Sequence, residues 1–272
     1  MMTIDALRVS LPTSSGYVDV VRDATLTIGE GEIVGLAGES GSGKTMTSSA
    51  ILGILPTGAR TSGAVTFEDR NLLTLAERDL GHVRGNRIAM VFQDPTAALH
   101  PLLTIGTQIT EHMRHHLGIG KKEAVERAVD LLDQVRIAEP RKALRSYPHQ
   151  FSGGMRQRAA IAIALACEPR LLIADEPTTA LDVTVQAGIL QLFDRLRDET
   201  GVSVLFITHD LGVLSTIADR TYVFKDGAVV ESGETEDVLL RPEHEYTKAL
   251  IASRAQSLAQ EREAEAAVEG TY

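Results

Sequence analysis

At 272 residues with 43% hydrophobic side chains, the chain is long enough for one large domain or two small ones, with ample material for a core. A formal net charge of -10 argues against a general nucleic-acid binder, because a phosphate backbone demands a basic face. No run approaches about 18 unbroken apolar residues, Met1-Met2-Thr3-Ile4-Asp5 lacks the features of a secretory leader, and the lone Cys167 fits a reducing compartment, so a cytoplasmic protein is expected.

The N-terminal stretch alternates. Ala6, Leu7, Val9 and Leu11, then Val18, Val20 and Val21, then Leu26 and Ile28 read as short strands of a mostly antiparallel sheet, closed by a Gly-Glu-Gly turn at 29–31. The apolar run Ile33 to Ala37 leads into Gly38-Glu39-Ser40-Gly41-Ser42-Gly43-Lys44-Thr45, and Met46 to Leu55 continues as a helix. The order is strand, phosphate loop, helix: glycines let backbone N–H groups curl around phosphate oxygens, and the helix points its positive dipole end at the same anion. Lys44 is placed to reach the β and γ phosphates, and Thr45 to hold Mg²⁺ through its hydroxyl.

Gly63 to Phe67 reads as a strand, and Ile88 to Phe92 as a buried parallel strand ending at Gln93-Asp94-Pro95. From about Leu102 to Ala166 the pattern turns helical, with Ala124, Ala128, Leu131, Leu132 and Val135 on one face, which predicts a helical insertion in an α/β domain. His112, His115 and His116 share a helix face, but no carboxylate or cysteine completes a metal site nearby, and a solvated patch is the simpler reading. Ser152, in Phe151-Ser152-Gly153-Gly154-Met155-Arg156-Gln157-Arg158, is placed to cap a helix through Ala166, with the glycines leaving its first amides open to an anion.

Leu171 to Ala174 is a further strand. At its end Asp175 can hold the Mg²⁺ hydration shell, and Glu176 can polarise a water for attack on a γ phosphate. Val202 to Thr208 is a buried strand ending at His209-Asp210, and Tyr222-Val223-Phe224 and Ala228-Val229-Val230 flank Asp226-Gly227 as a hairpin. Past Arg241-Pro242 the pattern is helical, and residues 255–272, rich in Ala, Glu and Gln, read as a short acidic C-terminal tail.

In these motifs the chain resembles the ABC (ATP-binding cassette) ATPases over residues 3 to about 250. Gly38 to Thr45 matches the Walker A motif, Gln93 the Q-loop, and Phe151 to Gln157 the signature. Leu171 to Glu176 matches the Walker B motif, Thr179-Ala180-Leu181-Asp182 the D-loop, and His209 the switch histidine. The resemblance implies a P-loop NTPase α/β core with an N-terminal antiparallel β subdomain and an inserted α-helical subdomain at about 94–166, together occupying residues 1–254. It implies ATP and Mg²⁺ as cofactors, with Thr45, Gln93 and Asp175 around the metal and Glu176, His209 and Gln93 in catalysis. Gly38, Glu39, Ser40, Gly41, Ser42, Gly43, Lys44 and Thr45 would hold this chain's nucleotide together with Gln93, Asp175 and His209. Ser152, Gly153, Gly154, Met155 and Asp182 would close over the nucleotide of a partner. Phe151 and Met155 depart from the usual Leu-Ser-Gly-Gly-Gln, while the serine and glycines are intact. The adenine-stacking aromatic of many relatives falls near Ser15 by spacing; Tyr17 is the neighbouring candidate, and a surface or core tyrosine is an equal reading.

The finer wording is similar to the oligopeptide, dipeptide and nickel importer group. It runs through Gly38 to Lys44, Val91 to Pro101, Phe151 to Arg158, Ala174 to Gln186 and Arg241-Pro242-Glu243-His244-Glu245-Tyr246-Thr247. That similarity implies ATP hydrolysis coupled to uptake of a small peptide or similar solute, or else of nickel or a metal chelate, at the cytoplasmic face of the cell membrane. The implied partners are a second, different ATPase subunit, two membrane permease subunits and an extracytoplasmic solute-binding protein, with no nucleic acid. Many members carry clustered C-terminal cysteines for an iron–sulfur centre; with one cysteine, no such cluster is expected here. Two rivals from other classes fit less well. A soluble ABC ATPase acting on nucleic acid or the ribosome usually shows paired cassettes, a long insertion or a basic surface, and a small-molecule kinase has no need of Phe151 to Arg158.

Overall fold

The computed structural model describes residues 1–179 and 181–253; Ala180 and the tail expected over 255–272 lie outside the described residues. Strands β1 (Met2–Thr13) and β2 (Gly16–Ile28) pair antiparallel, and β3 (Ile33–Ala37) runs into α1 (Lys44–Leu52). β4 (Arg60–Phe67) and β5 (Arg70–Asn71) return to the first hairpin, followed by α2 (Glu77–Val83) and β6 (Ile88–Val91). The helical stretch comprises α3 (Pro95–Ala98), α4 (Ile105–Leu117), α5 (Lys121–Gln134), α6 (Pro140–Ala143) and α7 (Gly153–Leu165). β7 (Leu171–Asp175), α8 (Val183–Thr200), β8 (Ser203–Thr208), α9 (Leu211–Leu214), β9 (Arg220–Lys225), β10 (Ala228–Glu234) and α10 (Thr235–Leu240) complete the core, and residues 245–253 are helical again.

All strands join one ten-stranded sheet in the order β5-β4-β1-β2-β10-β9-β3-β8-β7-β6. β9, β3, β8, β7 and β6 run parallel, whereas β1, β2 and β4 form the antiparallel flank. Every residue of β3, β7 and β8 is buried, which is why these strands read as continuous apolar runs and not as alternations. Side chains along β3 still alternate between two cores: Ile33 and Ala37 join the cluster containing Phe193 and Phe206, while Val34 and Leu36 join Phe224 and the β1–β2 hairpin. Ile109, Met113, Ala128 and Leu132 of the helical stretch pack into the first of these clusters. The insertion therefore shares its core with the sheet.

The short N-terminal strands expected from alternation are two long ones. The pairing of β1 with β2 shifts register between Ile4 and Leu7, where Ala6 takes φ +46° and turns outward as the extra residue of a bulge. The helix expected from Met46 begins at Lys44 and ends before Leu55, because Gly53 closes it with φ +62° and an N–H bond to Ala50 O. Phe92, read as the end of a buried strand, lies past β6 and is 46% exposed.

Phe206 stands midway along β8, opposite Gly35 of the loop-bearing strand and Ala174 of the acid-bearing one, with its ring edge-on to Phe193 of α8 at 5.4 Å. Phe206→Ala is expected to destabilise the fold by about 3–5 kcal/mol, as for other buried phenylalanines, read as a lower urea midpoint at unchanged slope.

Candidate functional site

β3, β8 and β7 lie side by side, with Ala37 opposite Thr208 and Asp175 opposite Ile207. The chain thus leaves three adjacent strand ends at Gly38, His209 and Glu176, on the carboxyl edge where open parallel sheets form ligand crevices. Glycine is needed at two points of the loop that follows β3. At Gly38 (φ +155°) a Cβ would sit 2.2 Å from the Phe224 carbonyl oxygen, and at Gly43 (φ +110°) 2.5 Å from that of Val20. The loop is pressed against β9 and β2 at both ends, and between them the Gly227 N–H donates to Ser42 O at 2.8 Å. Gly43 caps α1 without any side-chain acceptor, so the helix presents its first amides and positive dipole end to the loop's hollow.

Lys44 is 5% exposed. Its ammonium donates to Gly38 O (2.6 Å), Glu39 O (2.8 Å) and Ser42 Oγ (3.4 Å). Burial holds its pKa below the usual lysine range, against the pull of Glu176, Asp175 and Glu39. Asp175, 5% exposed, is displaced the other way: burial raises its pKa and Glu176 adds to the rise, while the Thr45 hydroxyl and the Lys44 charge oppose it. Glu176 sits in the left-handed region at φ +47°, its N–H still paired to Ile207 O at 2.8 Å. Its Oε2 accepts from the Thr179 hydroxyl at 2.7 Å and lies 3.0 Å from His209 Nδ1. One crevice therefore holds amides and a cation suited to phosphate, a hydroxyl and a carboxylate suited to a hard divalent ion, and a second carboxylate held by two partners.

The structure brings Gly38 to Thr45, Asp175, Glu176 and His209 together and leaves other expected residues apart. Gln93 is exposed two residues past Val91, whose partner on β7 is Ala174, so it borders the crevice from the next strand. Tyr17 is 45% exposed at the start of β2, and the Arg60 guanidinium stands 3.8 Å over its ring, taking one of the two faces an adenine could use. Ser152 accepts from Met155 N–H at 3.3 Å as the cap of α7, and Gly153 is exposed with nothing within 4 Å of a built Cβ. Gly154 is backed by Val185 of α8, and Asp182 caps that helix through Val185 N–H at 2.9 Å. The histidine patch is only partly solvated: His115 is exposed, whereas His112 is half-buried with Nε2 3.0 Å from Gly85 O. Cys167 is a buried thiol with its pKa pushed up to about 11 by burial.

Sequence reasoning missed the contacts that hold the loop and the acid from outside. Asp226-Gly227 was legible as a hairpin turn and not as a brace for Ser42, and Thr179 as part of a motif and not as a donor to Glu176. Tyr246, whose hydroxyl accepts the Glu39 N–H at 3.1 Å, stood only as one letter in Arg241 to Thr247.

Residues 21–179 match the family model described as ABC transporter. The Oligopeptide transport ATP-binding protein OppD of Salmonella typhimurium is 46% identical over 251 residues, spanning 92% of this chain and 75% of that protein. The Dipeptide transport ATP-binding protein DppD of Bacillus subtilis is 46% identical over 255 residues, spanning 93% and 76%. Among solved structures, the dimeric ATP-binding cassette MJ0796 bound to ADP and Pi in a post-hydrolysis state superposes with a TM-score of 0.76 at 31% identity, covering 86% of this chain and 99% of that one.

A carboxylate whose folded pKa exceeds its unfolded value contributes most to stability at low pH and costs stability as pH rises through the folded value. Asp175 is in that position, so Asp175→Asn is expected to raise the thermal midpoint of the nucleotide-free chain at pH 7 and to flatten its decline as pH rises above the ordinary aspartate value. A lower midpoint at pH 7, measured by calorimetry, would mean that the Asp175 charge stabilises the empty site.

Proposed function

Because the chain belongs to the ABC transporter family, we propose that it is the ATP-hydrolysing subunit of an importer that takes up a small peptide or similar solute. The single observation that carries the chemistry is the gathering of buried Lys44 and Asp175 with the half-buried Glu176 at adjoining parallel strand ends. In this reading Gly38 to Thr45 hold the phosphates through backbone amides, and the Lys44 ammonium exchanges the Gly38 and Glu39 carbonyls for phosphate oxygens. Mg²⁺, when bound, neutralises charge on the phosphate oxygens; Thr45 and Asp175 supply the hard oxygen donors it prefers, with Gln93 bordering from the next strand. Glu176 takes the proton of the attacking water. Thr179 and His209 orient the carboxylate through Oε2, which leaves Oε1 for that transfer.

The signature residues serve a partner. Ser152, Gly153 and Gly154 open α7 on an exposed surface, so their anion-binding amides face outward toward a second ATPase subunit, which we take to be a different chain. Asp182 and Met155 border the same face. Among the described residues no helix is long and apolar enough to cross a membrane, so attachment runs through two permease subunits, with an extracytoplasmic solute-binding protein completing the system. The permease contact is assigned to the groove beside Gln93, a cavity of about 250 Å³ whose lining includes the exposed Phe92 and Ile54.

Reconstitution of the chain in liposomes with two candidate permeases and a second ATPase tests the whole reading. ATP hydrolysis stimulated by peptide-loaded binding protein is expected, and stimulation by nickel or a chelate alone would replace peptide as the solute class. Glu176→Gln preserves shape and removes the charge, so hydrolysis is expected to fall by at least about a hundredfold while nucleotide affinity holds. Turnover at the original rate in that variant would remove Glu176 from the mechanism.

A further inference from the structure

The phosphate loop has an exposed arc, Glu39-Ser40-Gly41, between the glycine contacts at Gly38 and Gly43. Its ends are braced by the sheet. The arc itself is held from outside the motif, where the Tyr246 hydroxyl accepts the Glu39 N–H at 3.1 Å. The carbonyl of the same residue accepts from Lys44 Nζ at 2.8 Å and from Ser42 N–H at 3.2 Å. Glu39 is thus gripped on one side by a residue far along the chain and on the other by the loop's own cation.

Tyr246 is itself firmly seated. It lies in the first turn of the helical stretch 245–253, and the Glu231 carboxylate on β10 accepts the N–H groups of Glu243 (2.6 Å) and His244 (3.2 Å) that lead into it. His244 Nδ1 accepts the Tyr246 N–H at 3.1 Å, and the adjoining Thr247 is fully buried. Lys225 Nζ stands 4.9 Å from the Tyr246 ring centroid, at the end of the strand whose turn braces Ser42 through Gly227. Burial raises the tyrosine pKa, so the group stays a neutral phenol at working pH and does not add an anion to the loop.

We propose that Tyr246 is a positioning residue for the nucleotide: its hydroxyl fixes the Glu39 peptide and keeps the arc 39–41 in the phosphate-receiving shape before nucleotide arrives. The proposal rests on the reading of Gly38 to Thr45 as the nucleotide loop. An ordering contact made in the empty chain spares the ligand that ordering cost, so its loss weakens binding more than it slows the chemical step. Tyr246 touches neither Asp175 nor Glu176 through any hydrogen bond among the described residues, which assigns it to binding.

The test titrates Mg²⁺ and ADP calorimetrically into the full-length chain, with Tyr246→Phe, Lys44→Ala and the unaltered protein side by side. Tyr246→Phe is expected to raise Kd about fivefold, the ~1 kcal/mol of one neutral hydrogen bond. In the assembled transporter the same variant raises KM for ATP by a similar factor and leaves kcat within about twofold. Hydrogen exchange supplies an independent reading: the Glu39 amide exchanges about fivefold faster in Tyr246→Phe, and the Leu36 amide in β3 does not change. An unchanged or tighter Kd overturns the proposal, as does faster exchange spread evenly over β3 and β8, which marks general destabilisation. If Lys44→Ala also leaves Kd unaltered, the nucleotide loop has been misassigned and the latch falls with it; a weakened Lys44→Ala beside an unaffected Tyr246→Phe refutes the latch alone.

Discussion

A buried ammonium held by the carbonyls of its own loop is the interaction on which the rest of the site depends. Lys44 is withdrawn from water onto Gly38 O and Glu39 O, with Asp175 and Glu176 facing it. Burying a charge is costly unless it is paired and hydrogen-bonded; the loop carbonyls supply the hydrogen bonds, and Asp175 and Glu176 the opposing charge. Burial lowers the lysine pKa and raises that of Asp175, so each group would be better satisfied by an added ligand carrying negative phosphate and a divalent cation. In the proposed reading, the site is poised for such a ligand.

That poise requires the sheet. Only adjoining parallel strands bring Gly38, His209 and Glu176 to one edge, and their register depends on the wholly buried runs of β3, β8 and β7. The antiparallel flank has a direct part as well, since the Val20 carbonyl on β2, together with the Phe224 carbonyl on the parallel strand β9, forms the wall that admits glycine alone at 43 and 38. The helical stretch shares its apolar cluster with Phe193 and Phe206, so α7 packs into the same core as the strands that carry the acids. In the proposed reading, the helix start at Ser152 that faces outward serves another subunit's nucleotide, and one chain then carries two half-sites.

Much of this was legible because it is local. The phosphate loop, the Asp175-Glu176 strand end, the Asp226-Gly227 turn and the Ser152 cap are each written in a few consecutive residues whose backbone chemistry is specific. The bulge at Ala6 changes the period by one residue, and nothing in Asp5-Ala6-Leu7 marks it. Tyr17 and Arg60 meet only through strand pairing of β1 with both β2 and β4, and Tyr246 reaches Glu39 across 207 residues of sequence. His112 turned inward because Gly85, far from it in the chain, offered a carbonyl. Contacts of this kind have no periodic or spacing signal, and they are the ones that set how firmly the loop and its acids are held.

A crystal structure of the full chain with Mg²⁺ and ADP tests the central claim most directly. The account predicts that Lys44 Nζ leaves the Gly38 and Glu39 carbonyls for phosphate oxygens, that the metal lies between Thr45 and Asp175, and that the loop backbone from Gly38 to Gly43 keeps its shape. Nucleotide bound elsewhere, with Lys44 still on its own carbonyls, would contradict it.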